Sequence, residues 1–248
     1  MFGIIGGTGL VSMKNLIAEQ EKVVETPYGD PSGALVFGVL DKVKIVFLAR
    51  HGQDHSIPPH LINYQANLWA LHSVGVKNII AVSTVGSIDI KLMPGTIVFP
   101  NQIIDYTYNR IHTFFDGVDH PVNHIDFTFP YHEELRHDFI QSASKIKTSY
   151  CENGVYAATQ GPRLETAAEI DRYEKDGATI VGMTGMPEAV LAKELGINYA
   201  AICPIANHAA GRGLSEKGLT HQEINVNSEK MMKNVINLLK NIIESHGH

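Results

Sequence analysis

The chain has 248 residues, of which 44% are hydrophobic and 19% charged, a composition sufficient for one large globular domain with a covered core. Its formal net charge of −6 disfavours nucleic acid and anionic membranes as partners, because both bind through basic surfaces. Two cysteines form no disulfide framework, and we find neither an apolar run of membrane-spanning length nor a basic leader, so we expect a cytoplasmic protein.

Apolar β-branched segments alternate with amphipathic helical patterns along the whole chain. In chain order, these segments predict strands at residues 2–5, 34–40, 44–48, 78–83, 96–99, 155–158, 179–182 and 198–204. Helical spacing predicts helices at residues 61–74, 132–146, 166–175, 188–195 and 222–244. Several strands are apolar throughout, which is typical of a sheet covered on both faces. We therefore expect a single α/β domain over residues 1–248, with a mixed, mostly parallel sheet flanked by helices.

Residues 105–130 interrupt this alternation, because they are rich in aromatics and show no sustained period. A connection of this length usually forms a lid, a subunit contact or a disordered excursion. The six aromatic side chains in it disfavour disorder, since such residues bury apolar surface. We therefore predict a subunit contact that also edges a pocket.

The first predicted strand runs into a glycine-rich turn, Gly6-Gly7-Thr8-Gly9. Converging backbone N–H groups in such a turn bind an oxyanion such as phosphate, and Thr8 adds a hydroxyl. The commoner meaning of this pattern is an ordinary tight turn, so an anion site here depends on residues elsewhere. A dinucleotide site is disfavoured, because the full glycine fingerprint is missing and the acidic residues at 19–25 lie in a polar segment.

Two further strands end in residues that suit an anion. Arg50 follows one of them and offers a guanidinium fork, with His51 as a second donor; the alternatives are a surface salt bridge and a turn. Ser83 and Thr84 end the next strand and either donate to an oxyanion or merely finish the strand. Because ligands of α/β sheets bind beyond the carboxyl ends of strands, these groups are placed to meet.

Polar residues follow three later strands as well. Glu165 precedes a predicted helix and serves either as a partner of the helix dipole or as an acceptor for a ligand N–H. Met183 flanks a ligand ring or packs in the core, and Thr184 beside it donates to an anion. Asn207 ends an apolar strand and is either part of a turn or a reader of a ligand edge.

Taken together, these segments resemble the trimeric purine nucleoside phosphorylase family, in its methylthioadenosine phosphorylase branch. The matching stretches are residues 6–10 (Gly-Gly-Thr-Gly-Leu), 50–52 (Arg-His-Gly) with 63–71, 161–163 (Gly-Pro-Arg), 183–184 (Met-Thr) with 187–194, and the strand that ends at Asn207. They occur in the family's order between residues 2 and 243. No single stretch decides the resemblance, but five in sequence are specific.

The resemblance implies phosphorolysis, in which orthophosphate displaces a purine from the anomeric carbon and leaves a ribose 1-phosphate. By matching position it implies a phosphate shell of Thr8, Arg50, His51, Ser83, Thr84 and Thr184, with Val85 as the alternative to Thr84. It further implies that Met183 lies against the ribose and that Asn207 and Glu165 act as catalytic residues at the base. No metal or redox cofactor is expected, since phosphate is a co-substrate. The family also implies a homotrimer, with residues 105–130 at the subunit contact.

Departures from the adenine-specific branch of the family bear on the substrate. That branch carries aspartates where this chain has Asn207 and Ala209. A carboxylate accepts from the 6-amino group of adenine and repels a 6-oxo oxygen, whereas an amide donates to that oxygen. Glu165 matches a carboxylate that accepts from N1–H, a proton that 6-oxopurines carry and adenine lacks, and Leu164 beside it is a further predicted substrate contact. We therefore predict a 6-oxopurine nucleoside as substrate.

Residues for the 5′ end of the sugar leave two kinds of substrate open. His221 matches a histidine that meets a 5′-hydroxyl, which favours inosine or guanosine. His124 is similar to a neighbouring-subunit contact to the 5′ group, and Leu219, Ile224 and Met186 offer apolar surface to a methylthio group. We favour S-methyl-5′-thioinosine slightly over inosine and guanosine.

Other functions are weighed against this one. A hydrolytic nucleosidase shares the fold and the base contacts, but its rate does not depend on phosphate. A non-catalytic purine-binding or metal-binding protein is suggested by the thirteen histidines. His51 and His55 lie four residues apart, but Pro58 and Pro59 disfavour a helix that presents both, and no carboxylates are spaced around them as in zinc hydrolases. We therefore expect no metal site.

Overall fold

One twelve-stranded sheet is the framework of the computed structural model, which describes residues 1–7, 16–40, 42–218 and 228–246. The strands are β1 (Phe2–Gly6), β2 (Leu16–Lys22), β3 (Leu35–Leu40), β4 (Val43–Ala49), β5 (Asn78–Val82), β6 (Val85–Ser87), β7 (Ile97–Val98), β8 (Gln102–Asp105), β9 (Tyr150–Cys151), β10 (Val155–Ala158), β11 (Ile180–Gly182) and β12 (Asn198–His208). The α-helices in these ranges are α1 (Tyr64–Ser73), α2 (Glu133–Lys145), α3 (Ala167–Lys175), α4 (Gly185–Glu194) and α5 (Ser228–Ser245).

The middle of the sheet is parallel and its edges are mixed. The strand order is β2-β3-β4-β1-β5-β12-β6-β11-β10-β8, with β7 paired to β12 and β9 to β7. Strands β4, β1, β5 and β12 run parallel, whereas β2 and β3 pair antiparallel, as do β6 and β11. The carboxyl ends of the parallel strands therefore meet along one edge of the sheet. The mixed, mostly parallel α/β fold that the sequence predicts is confirmed.

Two apolar clusters cover the two faces of this sheet. Successive residues of one strand belong to opposite clusters: Ile5 packs in the cluster of α1 and α4, and Ile4 in that of α2 and α5. Each such side chain contributes about 1.5–3 kcal/mol on burial. Burial on both faces explains why the central strands are apolar throughout rather than alternating.

Strand β12 changes partners along its length. Its first part, from Asn198 to Ile202, pairs with β5, and its last part pairs with β6. The register shifts between Ile205 and Asn207, so that Asn207 stands opposite Gly86. Because an irregularity of this kind re-aims the side chains around it, the end of β12 turns toward the carboxyl edge of the sheet.

Some elements differ from the predicted ones. Strand β2 is not predicted, because its residues 18–22 are polar and exposed; it forms at the edge by pairing with β3. The helix predicted at 61–74 begins only at Tyr64, since the preceding residues, Pro59–Leu61, form a 3-10 turn. The helix predicted at 188–195 begins earlier, at Gly185, and is interrupted at Met186. Of the helix predicted at 222–244, residues 222–227 lie outside the described residues.

Among the helices in the described part of the chain, we find none that combines the length and the apolar character needed to cross a membrane.

Candidate active site

A cleft of about 620 Å³ opens at the carboxyl ends of β4, β5, β11 and β12. Ten residues that the sequence predicts as site residues line it: Arg50, His51, Ser83, Thr84, Leu164, Glu165, Met183, Thr184, Asn207 and Ala209. They belong to five separate segments, which meet because neighbouring strands of the sheet end at the same edge. Gly7, from the glycine-rich turn, lines the cleft as well.

Six predicted site residues are not placed in this cleft, among them Met186, which is described below. Thr8, Leu219, His221 and Ile224 lie outside the described residues. His124 is exposed and is absent from the cleft lining, and its predicted role concerns a neighbouring subunit. The roles of the five residues other than Met186 stay predictions.

Arg50 is fully buried in a bidentate ion pair with Glu188. Its Nε lies 2.7 Å from Glu188 Oε2, and its Nη2 donates to Glu188 Oε1 at 2.7 Å. Nη1 donates to the carbonyl oxygen of Val82 at 2.9 Å, and the Tyr199 hydroxyl donates to Glu188 Oε1 at 2.9 Å. Burial lowers the pKa of Arg50, but the adjacent carboxylate of Glu188 more than reverses this, so the pKa is raised.

The surface salt bridge that the sequence offers as one interpretation of Arg50 does not form, because the ion pair with Glu188 is buried. Arg50 also lines the cleft, and its role in binding an anion stays a prediction. Five N–H groups are available on a guanidinium, and three are occupied by these bonds, so two remain for a ligand in the cleft. Sequence reasoning missed Glu188 as the partner, because it lies 138 positions from Arg50 in the chain.

His51 is partly buried and held in one tautomer. Its Nδ1 lies 2.9 Å from the carbonyl oxygen of Ile57, which only accepts, so Nδ1 carries the proton of the neutral ring. Burial, with a smaller contribution from the positive charge of Arg50, lowers the pKa of His51 to about 4. Nε2 is therefore an unprotonated acceptor until an anion arrives. The ring packs against that of His55, with 4.5 Å between centroids.

Two hydroxyls meet at the same end of the cleft. Ser83 Oγ, after β5, lies 2.9 Å from Thr184 Oγ1, after β11, and both residues are buried. The backbone N–H of Thr184 also donates to the Tyr156 hydroxyl at 3.4 Å. Thr84 is exposed at the cleft rim and Val85 lines the cleft too, so both positions that the sequence leaves open lie at the site.

Asn207 and Glu165 lie at the other end of the cleft, both partly buried. Asn207 Nδ2 donates to the carbonyl oxygen of His208 at 2.7 Å, which leaves its Oδ1 and one N–H for a ligand edge. Glu165 Oε1 accepts from the Thr159 hydroxyl at 2.8 Å. The N-terminus of α3 is capped by Thr166 and Glu169, which form a capping box, and not by the side chain of Glu165.

Apolar side chains form the remaining walls. Met183 lines the cleft and lies against the turn at Gly161, where a Cβ would collide with the Met183 sulfur and where the φ of +62° also favours glycine. Met186, expected in a 5′ pocket, is instead buried in the core and does not line the cleft. Met231 and Met232, from α5, line the cleft as well, although the sequence does not predict them as site residues. Nothing in the local sequence indicates that the start of α5 reaches this edge of the sheet.

Within the described ranges, no group of three or more His, Cys, Asp and Glu residues is arranged to hold a metal ion.

Comparison with known proteins decides the family. The model of the phosphorylase superfamily matches residues 1–244. The chain belongs to the phosphorylase superfamily. The sequence-based resemblance to nucleoside phosphorylases is therefore confirmed, and the chain is a pentosyltransferase whose superfamily uses phosphate as co-substrate.

Relatives over nearly the whole chain carry two kinds of name. A probable S-methyl-5′-thioinosine phosphorylase of Pseudomonas syringae pv. tomato is 47% identical over 212 residues, or 86% of each chain. A 6-oxopurine nucleoside phosphorylase of Pyrococcus furiosus is 44% identical over 95% of this chain and 89% of its own. A methylthioadenosine phosphorylase from Schistosoma mansoni, solved with adenine, superposes with a TM-score of 0.93 at 30% identity, over 99% of this chain and 91% of that one.

Proposed function

We propose that the chain catalyses the phosphorolysis of a 6-oxopurine nucleoside, with S-methyl-5′-thioinosine as the preferred substrate. The products are hypoxanthine and 5-methylthioribose 1-phosphate. The S-methyl-5′-thioinosine and 6-oxopurine nucleoside phosphorylases named above support this class of substrate. The geometry of the cleft supports the orientation in which the nucleoside binds.

Phosphate binds at the end of the cleft that holds Arg50, His51, Ser83 and Thr184, with Thr8 and Thr84 as further predicted contacts. As the glycosidic bond breaks, the sugar gathers positive charge, and a phosphate dianion held beneath it stabilises that charge. The two unoccupied N–H groups of Arg50 and the paired hydroxyls supply donors for the dianion. The unprotonated Nε2 of neutral His51 accepts a hydrogen bond from the P–OH group of the hydrogen phosphate dianion, with no proton transferred.

The observation that carries the proposal is the amide of Asn207 at the base end. An amide N–H donates to the 6-oxo oxygen as the leaving purine gathers negative charge, and Glu165 accepts from the N1–H of the same base. Ala209, which also lines the cleft, brings no carboxylate that would accept from an amino group. A site with buried polar groups of the wrong kind rejects a substrate by factors up to about 10⁴. Leu164 flanks the same side of the base.

The preference for a 5′-methylthio group rests on the methionines at the start of α5. Met231 is buried and Met232 partly so, and both line the cleft, where flexible thioether side chains suit an alkylthio group. His221, if it meets a 5′-hydroxyl, favours inosine or guanosine, which are the alternative substrates. His124 and Leu219 complete the predicted 5′ contacts.

One experiment tests these statements together. Purine release is measured from inosine, guanosine, adenosine, S-methyl-5′-thioinosine and methylthioadenosine, each with and without phosphate. We expect phosphate-dependent release from the 6-oxopurine substrates, greatest for the methylthio compound. Phosphate-independent release identifies a nucleosidase, and a preference for the two adenine compounds identifies a methylthioadenosine phosphorylase; either result overturns the proposal.

We also propose the context in which this activity operates. The whole chain forms one phosphorylase domain, supported by the family match over residues 1–244 and by the single sheet. It acts as a cytoplasmic homotrimer through the 105–130 loop, as predicted from the sequence. Exposed apolar side chains on this loop, among them Ile111, Val118 and Phe129, support a subunit contact there.

A further inference from the structure

Arg110 is a buried arginine on an otherwise exposed loop. Its residue is only 9% exposed, whereas Tyr108 and Ile111 on either side are 63% and 66% exposed. Burying a guanidinium is costly unless its donors are matched. All of its N–H groups are directed at oxygen atoms, and the proposed reaction assigns none of these contacts a role.

Two of its nitrogens hold the wall that carries the base contacts. Nη2 donates to the carbonyl oxygens of Thr159 at 3.1 Å and Gln160 at 2.8 Å. Nε donates to Gln160 Oε1 at 3.1 Å. The Thr159 hydroxyl in turn donates to Glu165, so this wall positions the carboxylate proposed to read the base.

The third nitrogen holds the wall that carries the ribose contact. Nη1 donates to the carbonyl oxygens of Met183 at 2.8 Å and Met186 at 2.6 Å. Met183 is the side chain placed against the sugar. A single guanidinium therefore joins the turns after β10 and β11, two neighbouring parallel strands whose following residues both line the cleft.

A third segment is tied to the same group through Tyr64. Nη1 of Arg110 lies 3.3 Å from the Tyr64 hydroxyl, and the guanidinium carbon lies 5.5 Å from the centre of the Tyr64 ring. The Tyr64 hydroxyl donates to the carbonyl oxygen of Pro59 at 3.0 Å, and Pro59 lines the cleft. The rigid, planar donor set of arginine suits this arrangement in a way that lysine does not.

We propose that Arg110 is a positioning residue, which sets the spacing of the walls that hold the nucleoside. This inference rests on the proposed function of the same cleft. The phosphate end keeps contacts that do not involve Arg110, because Arg50 is held by Glu188 and Thr184 also contacts Ser83 and Tyr156. Loss of Arg110 therefore weakens use of the nucleoside far more than use of phosphate.

Arg136 offers a matched control within the same chain. It is equally enclosed, at 2% exposure, and also donates to backbone carbonyls, including Pro100 at 3.0 Å and Phe99 at 3.2 Å. Neither Arg136 nor its partners line the cleft. A purely structural arginine is thus available for comparison.

The test compares Arg110→Ala with Arg136→Ala in steady-state kinetics and thermal unfolding. The substrate is whichever nucleoside the wild-type enzyme cleaves best. We expect Arg110→Ala to raise the nucleoside KM by about tenfold or more and the phosphate KM by less than about threefold. Arg136→Ala is expected to lower the Tm with both KM values near those of the wild type. A proportional rise of both KM values in Arg110→Ala, or the same kinetic pattern in the two variants, overturns the inference.

Two further measurements separate positioning from stability. Guanidinium chloride at concentrations that do not unfold the wild type is expected to bring the nucleoside KM of Arg110→Ala part of the way back to the wild-type value, whereas sodium chloride at equal ionic strength does not.

Gln160→Met removes one acceptor and leaves Arg110 in place, which covers the case in which Arg110→Ala fails to fold. It is expected to raise the nucleoside KM about threefold with the phosphate KM unchanged, since it breaks one of several contacts; an unchanged nucleoside KM contradicts the inference. Absence of wild-type phosphorolysis contradicts the proposed function. The role of Arg110 is tested separately, by the ratio of each KM in the variant to that in the wild type.

Discussion

The two ends of the cleft are built in different ways. At the phosphate end, Arg50 and Glu188 are fully buried and share two hydrogen bonds, and the hydroxyls of Ser83 and Thr184 are paired. At the base end, Asn207 and Glu165 are only partly buried, and each makes one side-chain hydrogen bond within the described residues. An inorganic anion presents the same atoms in every turnover, so its site is preorganised. A base is distinguished by one edge, so the atoms that read it are left free.

Charge is also distributed differently. The ion pair at the phosphate end is neutral overall, and burial keeps His51 neutral, so an anion meets oriented N–H and O–H groups instead of a bare cation. Glu188 offsets the cost of burying Arg50, a cost that an unpaired guanidinium in this position would carry in full. At the base end, Glu165 accepts one hydrogen bond from the Thr159 hydroxyl and retains acceptor capacity for a ligand N–H.

The largest expected effect follows from breaking the buried pair. Arg50→Met leaves Glu188 buried without a cation, which costs about 3–5 kcal/mol of unfolding free energy. It also raises the phosphate KM far more than the nucleoside KM, because it removes donors from one end of the cleft only. Chemical unfolding and steady-state kinetics measure the two effects.

The double variant Arg50→Met/Glu188→Leu is the control for that experiment. Removing both charges is expected to recover much of the stability, because no buried charge is left unpaired. The phosphate KM stays high. If the single variant raises both KM values equally, Arg50 does not belong to the anion site.

A change at the base end is expected to move selectivity instead of stability. Asn207→Asp replaces the amide N–H with a carboxylate oxygen, which repels a 6-oxo group and accepts from a 6-amino group. The ratio of kcat/KM for inosine-type over adenosine-type substrates is expected to fall by about 100-fold. The double variant Asn207→Asp/Ala209→Asp is expected to lower this selectivity ratio further. Turnover of both substrate types falling in equal proportion contradicts the base-reading role of Asn207.

The depressed pKa of His51 predicts a pH dependence of stability. Above about pH 6.5, the ring is neutral in both folded and unfolded chains, so it adds no pH dependence to the free energy of unfolding. As the pH falls from about 6.5 to about 4, the unfolded chain takes up the proton first, so the free energy of unfolding decreases. Allowing for the partly exposed ring, we expect the free energy of unfolding to fall by about 1–2 kcal/mol over this range. Urea unfolding of wild type and His51→Gln between these pH values measures the decrease. Parallel plots of unfolding free energy against pH for the two proteins contradict the prediction.

The smallest expected effect distinguishes two neighbouring hydroxyls. Ser83→Ala removes a buried hydroxyl that is paired with Thr184, and is expected to raise the phosphate KM about fivefold, equivalent to about 1 kcal/mol. Thr84→Val alters an exposed side chain and is expected to change the phosphate KM less than Ser83→Ala does. Equal effects in phosphate titrations would place both hydroxyls on the anion.

Much of the site was predictable because strand ends are local features of a sequence. Arg50, Ser83, Thr184 and Asn207 each follow an apolar run, and parallel strands bring such ends together. The partners of these residues were not predictable, because they are distant along the chain. Glu188 lies 138 positions from Arg50, and no local pattern distinguishes its ion pair from a free guanidinium.

The same limit applies to the walls of the cleft. In the structure, Met186 and Met231 both stand near the start of a described helix, a position that neither has in the predicted helices. The structure buries Met186 in the core and turns Met231 to the cleft, because the orientation of a helix depends on the surface against which it packs. Arg110, too, was only one residue of an irregular loop.

Sequence alone determined the class of fold, the edge of the sheet that carries the site, and the amide at the end of β12. These follow from apolar runs, from helical spacing and from the identity of a side chain, all of which are properties of short stretches of the sequence. Only the tertiary structure decided that Arg50 is paired with Glu188 and that Arg110 joins three walls. Long polar side chains satisfy their donors with whichever acceptors the finished fold brings within reach, and those acceptors lie far away in the sequence.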